Sequence, residues 1–198
     1  MKKKVIIIGG GTFSHIRTHL SLATPAFGKT AKSLYEKCRN RFDYMDVELL
    51  LTKMADPSSN IVTNEDVSSL LDQLIQDNTV KIIFFNVALC DYKGQIGEDI
   101  SGKYQKRLET KQGTETMLLT PSEKIINKIR KVRKDIFLVG FKTTSNATPQ
   151  EQFSKGLNLM KKSSANIVLA NDVVTYNNFI ITPEEGVYGK EMSREECL

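Results

Sequence analysis

Tryptophan is absent, histidine occurs twice, cysteine three times and proline five times in 198 residues. Each scarcity excludes something. Cys38, Cys90 and Cys197 are odd in number and lack Cys-x-x-Cys spacing, so neither a disulfide framework nor a zinc ribbon can be drawn. Free thiols in a reducing, cytoplasmic compartment are the expectation. His15 and His19 are spaced to share a helix face, but no cysteine or carboxylate cluster accompanies them and the local pattern is not helical. No metal site and no Ser/His/Asp set is assigned. The aromatics are not interleaved with lysine and arginine, which disfavours a stacking platform for nucleic acid. No apolar run approaches the roughly 18–20 residues that span a bilayer. After Met1-Lys2-Lys3-Lys4 only Val5 to Ile8 precede three glycines, too short a stretch for a secretory signal.

What is present is ordinary globular material, 40% hydrophobic and 26% charged. The mass of 22.3 kDa suits a single domain. No repeat, low-complexity tract or linker divides the chain. The net charge of +5 tilts the protein mildly toward anionic ligands such as phosphates.

Lys4 to Ile8 reads as a buried strand entering a Gly9-Gly10-Gly11 loop. A helix is expected over about 27–39, a strand over 45–51, and a helix over 64–77 capped by Thr63 or Asn64, with Val67, Leu70, Leu71 and Leu74 on one face. Residues 80–87 form a third strand. The polar stretch 91–114 is a working loop or an ordered hairpin. Thr120-Pro121-Ser122-Glu123 and Thr148-Pro149-Gln150-Glu151 each offer a Thr cap, a Pro in the first turn and a Glu that reaches back. Strands at 136–141, 166–170 and 179–182 follow, with a helix stub opened by Ser193. Alternating strands and helices imply a doubly wound, mostly parallel, Rossmann-like α/β sheet. Its ligands belong at the carboxyl ends of the strands.

The loops there carry chemistry. Gly9 to Gly11 could bring backbone N–H groups to a phosphate, or make a plain tight turn; Ser14 breaks the dinucleotide fingerprint. Ala23 to Thr30 fits a phosphate loop only loosely, because Pro25 removes a donor. Asp91 could accept from a ribose or base, hold a metal, or simply close a turn. Lys103, Lys106 and Arg107 place cations in a mobile loop, where they clamp phosphates or are merely solvated. Phe141 could stack on a base or sit in the core, and Asn171-Asp172 could shape a site or a turn.

Taken in register, Gly10-Gly11-Thr12, Ile16-Arg17, Phe27-Gly28, Ala88-Leu89-Cys90-Asp91-Tyr92, Lys103-Tyr104-Gln105-Lys106, Val139-Gly140-Phe141 and Asn166 to Asp172 resemble the phosphopantothenoylcysteine synthetase family. This is the ligase half of the coenzyme A bifunctional flavoprotein. The resemblance covers nearly the whole chain. It implies that 4′-phosphopantothenate is activated by CTP or ATP with Mg²⁺ as an acyl-nucleotide, then joined to cysteine. It implies Gly10, Gly11 and Thr12 at the triphosphate, Asp91 at the sugar or base, Phe141 beside the base, and Lys103 closing on the phosphates with Lys106 beside it. Asn171 and Asp172 would shape the site. The family's catalytic Asn falls at Ser21, with Thr24 as the other candidate; a hydroxyl lacks the amide's paired donor and acceptor. A homodimer and a separately supplied decarboxylase are further implications. A diverged nucleotide-binding protein, or a ligase of another carboxylic acid, is the alternative. A nicotinamide oxidoreductase is disfavoured, since Thr52-Lys53 stands where an acidic residue would bind ribose.

Overall fold

The computed structural model describes residues 2–198. Its first strand, β1 (Lys4–Gly11), owes its place to a β-branched run that is buried on both sides. Ile6 and Ile8 point into one apolar cluster and Ile7 into another. Such alternation is what a central strand of a sheet covered on both faces requires.

A hairpin follows, β2 (Phe13–Arg17) and β3 (Leu20–Ala23), then α1 (Lys29–Arg41) and β4 (Asp46–Leu51). Next come α2 (Asn64–Gln76) and β5 (Val80–Ala88), then a second hairpin, β6 (Tyr92–Ile96) and β7 (Met117–Pro121). The chain continues through α3 (Asn127–Val132), β8 (Phe137–Thr144), α4 (Pro149–Ser163) and β9 (Ile167–Asp172). It closes with β10 (Asn178–Ile181), β11 (Val187–Tyr188) and α5 (Arg194–Cys197).

The main sheet has seven strands in the order β11-β10-β9-β8-β5-β1-β4. β4, β1, β5, β8 and β9 run parallel; at one edge β10 lies antiparallel to β9, and β11 antiparallel to β10. The chain leaves β1 for β4 on one side and returns to β5 on the other. That reversal puts α1 on one face, over Ile7, and α2, α3 and α4 on the opposite face, over Ile6, Ile8 and Ile83. It also opens a crevice beyond the carboxyl ends of β1 and β5, the position where doubly wound sheets bind ligands.

α2 is fixed by a capping box in which the Thr63 hydroxyl accepts from Asp66 N and the Asp66 carboxylate accepts from Thr63 N. Val67, Leu71, Leu74 and Ile75 then bury one face, each worth about 1.5–3 kcal/mol for an aliphatic side chain. Thr148 and Ser193 cap α4 and α5 by the same device, as their sequences predict.

The structure differs from expectation in two places. Thr120-Pro121 starts no helix: Thr120 pairs with Lys93 and Pro121 with Tyr92 at the end of β7, where an edge strand tolerates proline, and α3 begins at Asn127. Gly9 to Gly11 are not a loop but the last residues of β1, paired with Asn86, Val87 and Ala88 of β5. A Cβ on Gly9 would lie 2.2 Å from Ala31 Cβ, so glycine there lets α1 press against the sheet. Residues 13–23, to which the sequence reading assigned no element, form a hairpin with a bulge, and His15 pairs with Ser21 across it. Of the two readings of 91–114, the hairpin holds for its beginning, since Tyr92 to Ile96 pair with Met117 to Pro121.

Candidate active site

The crevice at the switch point is a cleft of about 730 Å³. β1 contributes Gly10, β5 contributes Phe85 to Ala88, and β8 contributes Phe141, Lys142 and Thr143. Residues 24–30 with the start of α1 form one wall, and α4 forms another with Lys155, Asn158 and Lys162. The lining is rich in cations. Lys29, Lys124, Lys142, Lys155, Lys162 and Arg194 reach it, against only Asp91 and Glu123. Asp91 is exposed and ion-paired with Lys124, so the acidic side is already half neutralised. α1 starts at Gly28 with no side-chain cap and no acidic residue in its first turn. Its first N–H groups and its dipole therefore favour an anion. Such a cleft can hold a polyanion with an aromatic or sugar end: phosphates toward the lysines, a planar ring against Phe141.

Of the sequence-predicted residues, the cleft gathers Gly10, Asp91 and Phe141. Gly11 and Thr12 are buried beneath it. Gly11 N donates to Ala26 O, and Thr12 N to Ala88 O. The Thr12 hydroxyl donates to Asn64 Oδ1 at 2.7 Å and accepts from Cys90 N at 3.0 Å. Asn64 Nδ2 donates to Cys90 O at 2.8 Å. This is a knot joining the ends of β1 and β5 to the start of α2, and it leaves Thr12 nothing to offer a triphosphate. Asn64→Ala removes the hub of that knot from a site only 6% exposed. A loss of about 2–3 kcal/mol in urea unfolding is expected, from orphaned donors and acceptors.

Asn171 and Asp172 also lie under the rim. Thr143 Oγ1, beside the cleft, donates to Asn171 Oδ1 at 3.1 Å. The Asp172 carboxylate accepts from the Thr144 hydroxyl and from the backbone of Asn146, Ala147, Val174 and Thr175. It thereby ties the turns after β8 and β9, and Val173 at that turn borders the cleft. Burial pushes this carboxyl upward in pKa, and those hydrogen bonds more than reverse it, holding it well below the usual carboxylate range. A depressed folded pKa gives stability that is present above the unfolded value near 3.9 and lost as pH falls below it. Asp172→Asn is expected to lower the melting temperature at pH 7 and to flatten the acid limb of a stability–pH curve.

Lys103, Lys106 and Ser21 do not border the cleft. The loop that carries the lysines folds onto the first hairpin, where Gly102 N donates to Ile16 O and Thr18 N donates to Gln105 O. Ser21 Oγ and His15 Nδ1 share a hydrogen bond of 2.8 Å. Sequence reading left this pair unjoined because only the hairpin register brings β2 and β3 face to face. Burial lowers the His15 pKa, the Lys103 charge lowers it further, and Asp66 partly offsets both. A depressed histidine favours the neutral ring in the folded protein, so stability is gained as pH rises toward 6.5. NMR titration is expected to place His15 below the ordinary value, and Lys103→Ala to move it back upward.

Residues missed by the sequence reading are Asn86, Lys155, Asn158, Lys162 and Arg194. Lys155 and Lys162 are two turns apart on the polar face of α4. Nothing in that spacing says that the face looks into a cleft rather than into bulk solvent.

Residues 1–190 match the family model of the DNA/pantothenate metabolism flavoprotein C-terminal domain. The chain belongs to this family. Two similar proteins are named coenzyme A biosynthesis bifunctional protein CoaBC. That of Thermococcus kodakarensis is 22% identical over 181 residues, covering 89% of this chain and 43% of its own length. That of Methanocaldococcus jannaschii is 23% identical over 176 residues, covering 86% and 40%. The chain thus spans less than half the length of these curated relatives. Among solved structures, the DNA/pantothenate metabolism flavoprotein of Streptococcus pneumoniae superposes with a TM-score of 0.74 at 19% identity, covering 92% of this chain and 88% of that one. A Cab2 mutant in complex with phosphopantothenate-cysteine gives 0.65 at 13% identity, covering 92% and 77%. The flavoprotein C-terminal domain fold is therefore shared at low identity.

Proposed function

We propose that the protein is a coenzyme A-pathway ligase that joins 4′-phosphopantothenate to cysteine, with CTP or ATP as co-substrate. The observation that carries this reading is the cation-lined cleft at the β1/β5 switch point, in a chain of this flavoprotein C-terminal domain family. The names of the relatives, and the phosphopantothenate-cysteine bound by the Cab2 mutant, support the choice of substrates.

In the first step a carboxylate oxygen of phosphopantothenate attacks the α-phosphorus of the triphosphate. The bond to the β-phosphate breaks and pyrophosphate leaves. In the second, the cysteine amine attacks the acyl carbon, loses a proton and expels the nucleoside monophosphate as the amide forms. Both steps need positioning and charge neutralisation more than a strong base. Lys142, Lys155 and Lys162 would neutralise the phosphates, Phe141 would lie along the base, and Asp91 at the mouth would accept from the sugar or base. Gly10 keeps the floor of the cleft open. Ser21, with His15, would face the acyl group only if the first hairpin and the Lys103 loop swing toward the cleft on binding.

Among the described residues no group of three or more His, Cys, Asp and Glu gathers. The donors fit Mg²⁺ only as an ion carried on the nucleotide's own phosphates and waters, where it would offset phosphate charge. A homodimer is part of the reading, supported by exposed apolar side chains on the second hairpin, Tyr92, Leu118 and Leu119. A decarboxylase acting on the product, and a cytoplasmic setting, complete it; no helix among the described residues is long and apolar enough to cross a membrane.

Incubation with phosphopantothenate, cysteine, Mg²⁺ and CTP or ATP tests the reading. Stoichiometric pyrophosphate and amide are expected. Triphosphate binding without either product would favour the second reading, a diverged nucleotide-binding protein, for which the displaced Lys103 and Ser21 are the specific observation.

A further inference from the structure

The last helix, α5, is short and reaches the cleft from the far end of the chain. It is pinned along α1. The Glu195 carboxylate accepts from Ser33 Oγ at 2.9 Å, and the Glu195 carbonyl accepts from Lys37 Nζ at 2.5 Å. Cys197 is buried and Leu198 packs against the apolar cluster under α1. Ser193 caps the helix from its other end. Arg194, next to the pinned Glu195, is thus carried to the cleft wall that also contains Lys29 and Thr30 of the first turn of α1. Residues 191–198 stand outside the segment matched by the family, so the family match says nothing of Arg194.

Two features single this side chain out. Its Nε is buried and has no hydrogen-bond partner among the described residues. A guanidinium donor shut away from water is costly to leave unmet. Arg194 forms no ion pair among the described residues: neighbouring Glu195 is engaged with Ser33 and Asp91 of the cleft with Lys124, which leaves Glu123 as the one cleft carboxylate without an ion pair. Burial also pulls the Arg194 pKa below the ordinary arginine value, against the opposing pull of Glu195. A bound anion would offset the charge of the guanidinium, whose planar fork suits a phosphate.

We propose that Arg194 is a phosphate-binding residue of the cleft, its guanidinium and the first-turn N–H groups of α1 receiving one phosphate group of a bound substrate. The inference rests on reading the cleft as the nucleotide site. The phosphate belongs either to the nucleoside triphosphate or to the phosphomonoester of the acid substrate, and the two are separable by titration.

Calorimetry on the full chain would compare wild type, Arg194→Gln and Arg194→Lys, each titrated with Mg²⁺-CTP, Mg²⁺-ATP and 4′-phosphopantothenate. Arg194→Gln should weaken one of these ligands at least tenfold, about 1.4 kcal/mol. Arg194→Lys, which restores the charge but not the fork, should fall between. A loss confined to the triphosphates assigns the nucleotide, and a loss confined to phosphopantothenate assigns the phosphomonoester. Glu195→Ala is the control for docking of α5, since Glu195 does not border the cleft. Equal weakening in Glu195→Ala and Arg194→Gln, with matching falls in melting temperature, would reduce Arg194 to a structural part and overturn the proposal. Unchanged affinities in Arg194→Gln, with wild type binding normally, would also overturn it. Wild type that binds none of the three ligands would overturn the reading of the cleft itself, and the proposal with it.

Discussion

Gly10→Ala is expected to lower the melting temperature by roughly 10 °C and to abolish the proposed nucleotide binding. Gly10 sits at φ +102°, a backbone region that L side chains rarely adopt. A Cβ there would lie 2.2 Å from Thr52 Oγ1 and 2.9 Å from Ala55 Cβ. Thr52 is fully buried and has no room to withdraw. Backbone strain and overpacking together cost about 3 kcal/mol, and in a chain of this size each kcal/mol shifts the midpoint by about 2–4 °C. Relief can come only by moving the end of β1 or the 52–55 turn, and Gly10 lines the cleft floor. Scanning calorimetry and a triphosphate titration on one preparation would measure both effects. An unperturbed midpoint would mean that the end of β1 is not packed as described.

Charge reversal on α4 should do the opposite: remove binding and spare the fold. Lys155 and Lys162 are exposed, and α4 is held by its Thr148 capping box and by Gln152, Gly156, Met160 and Ser163 on the buried side. In Lys155→Glu/Lys162→Glu the cleft loses two positive charges and gains two negative ones. Charge-assisted hydrogen bonds to phosphate contribute about 1.5–3 kcal/mol each. Triphosphate affinity should therefore fall at least 100-fold at low salt, with the melting temperature within about 2 °C of wild type. Raising the ionic strength should narrow the gap, because part of the attraction is screened. Equal affinity of the variant would remove α4 from the site.

The fold was legible because its signals are local. A run of Val5 to Ile8, the Thr63 and Thr148 caps and the i, i+3, i+4, i+7 stripe of α2 each dictate an element from a few neighbouring residues. Thr120-Pro121 carries the same cap signature yet ends an edge strand, because pairing with Tyr92 and Lys93 lies outside any local window. The site was legible in part. Asp91 and Phe141 follow from the rule that ligands sit at strand ends. Gly11 and Thr12 do not form an open loop, because β1 runs as far as Gly11 and the backbone donors of both are consumed by Ala26 and Ala88. Lys155, Lys162 and Arg194 come from distant helices whose aim is set by the sheet order, and no spacing along the chain announces it.

The central claim is that a nucleoside triphosphate sits beyond the ends of β1, β5 and β8. Amide NMR of isotopically labelled protein, titrated with Mg²⁺-CTP and Mg²⁺-ATP, tests it most directly. Gly10, Asn86, Phe141 and Lys142 should shift together along one saturating curve. Shifts confined to the Lys103–Lys106 loop, with those four amides unmoved, would contradict the account.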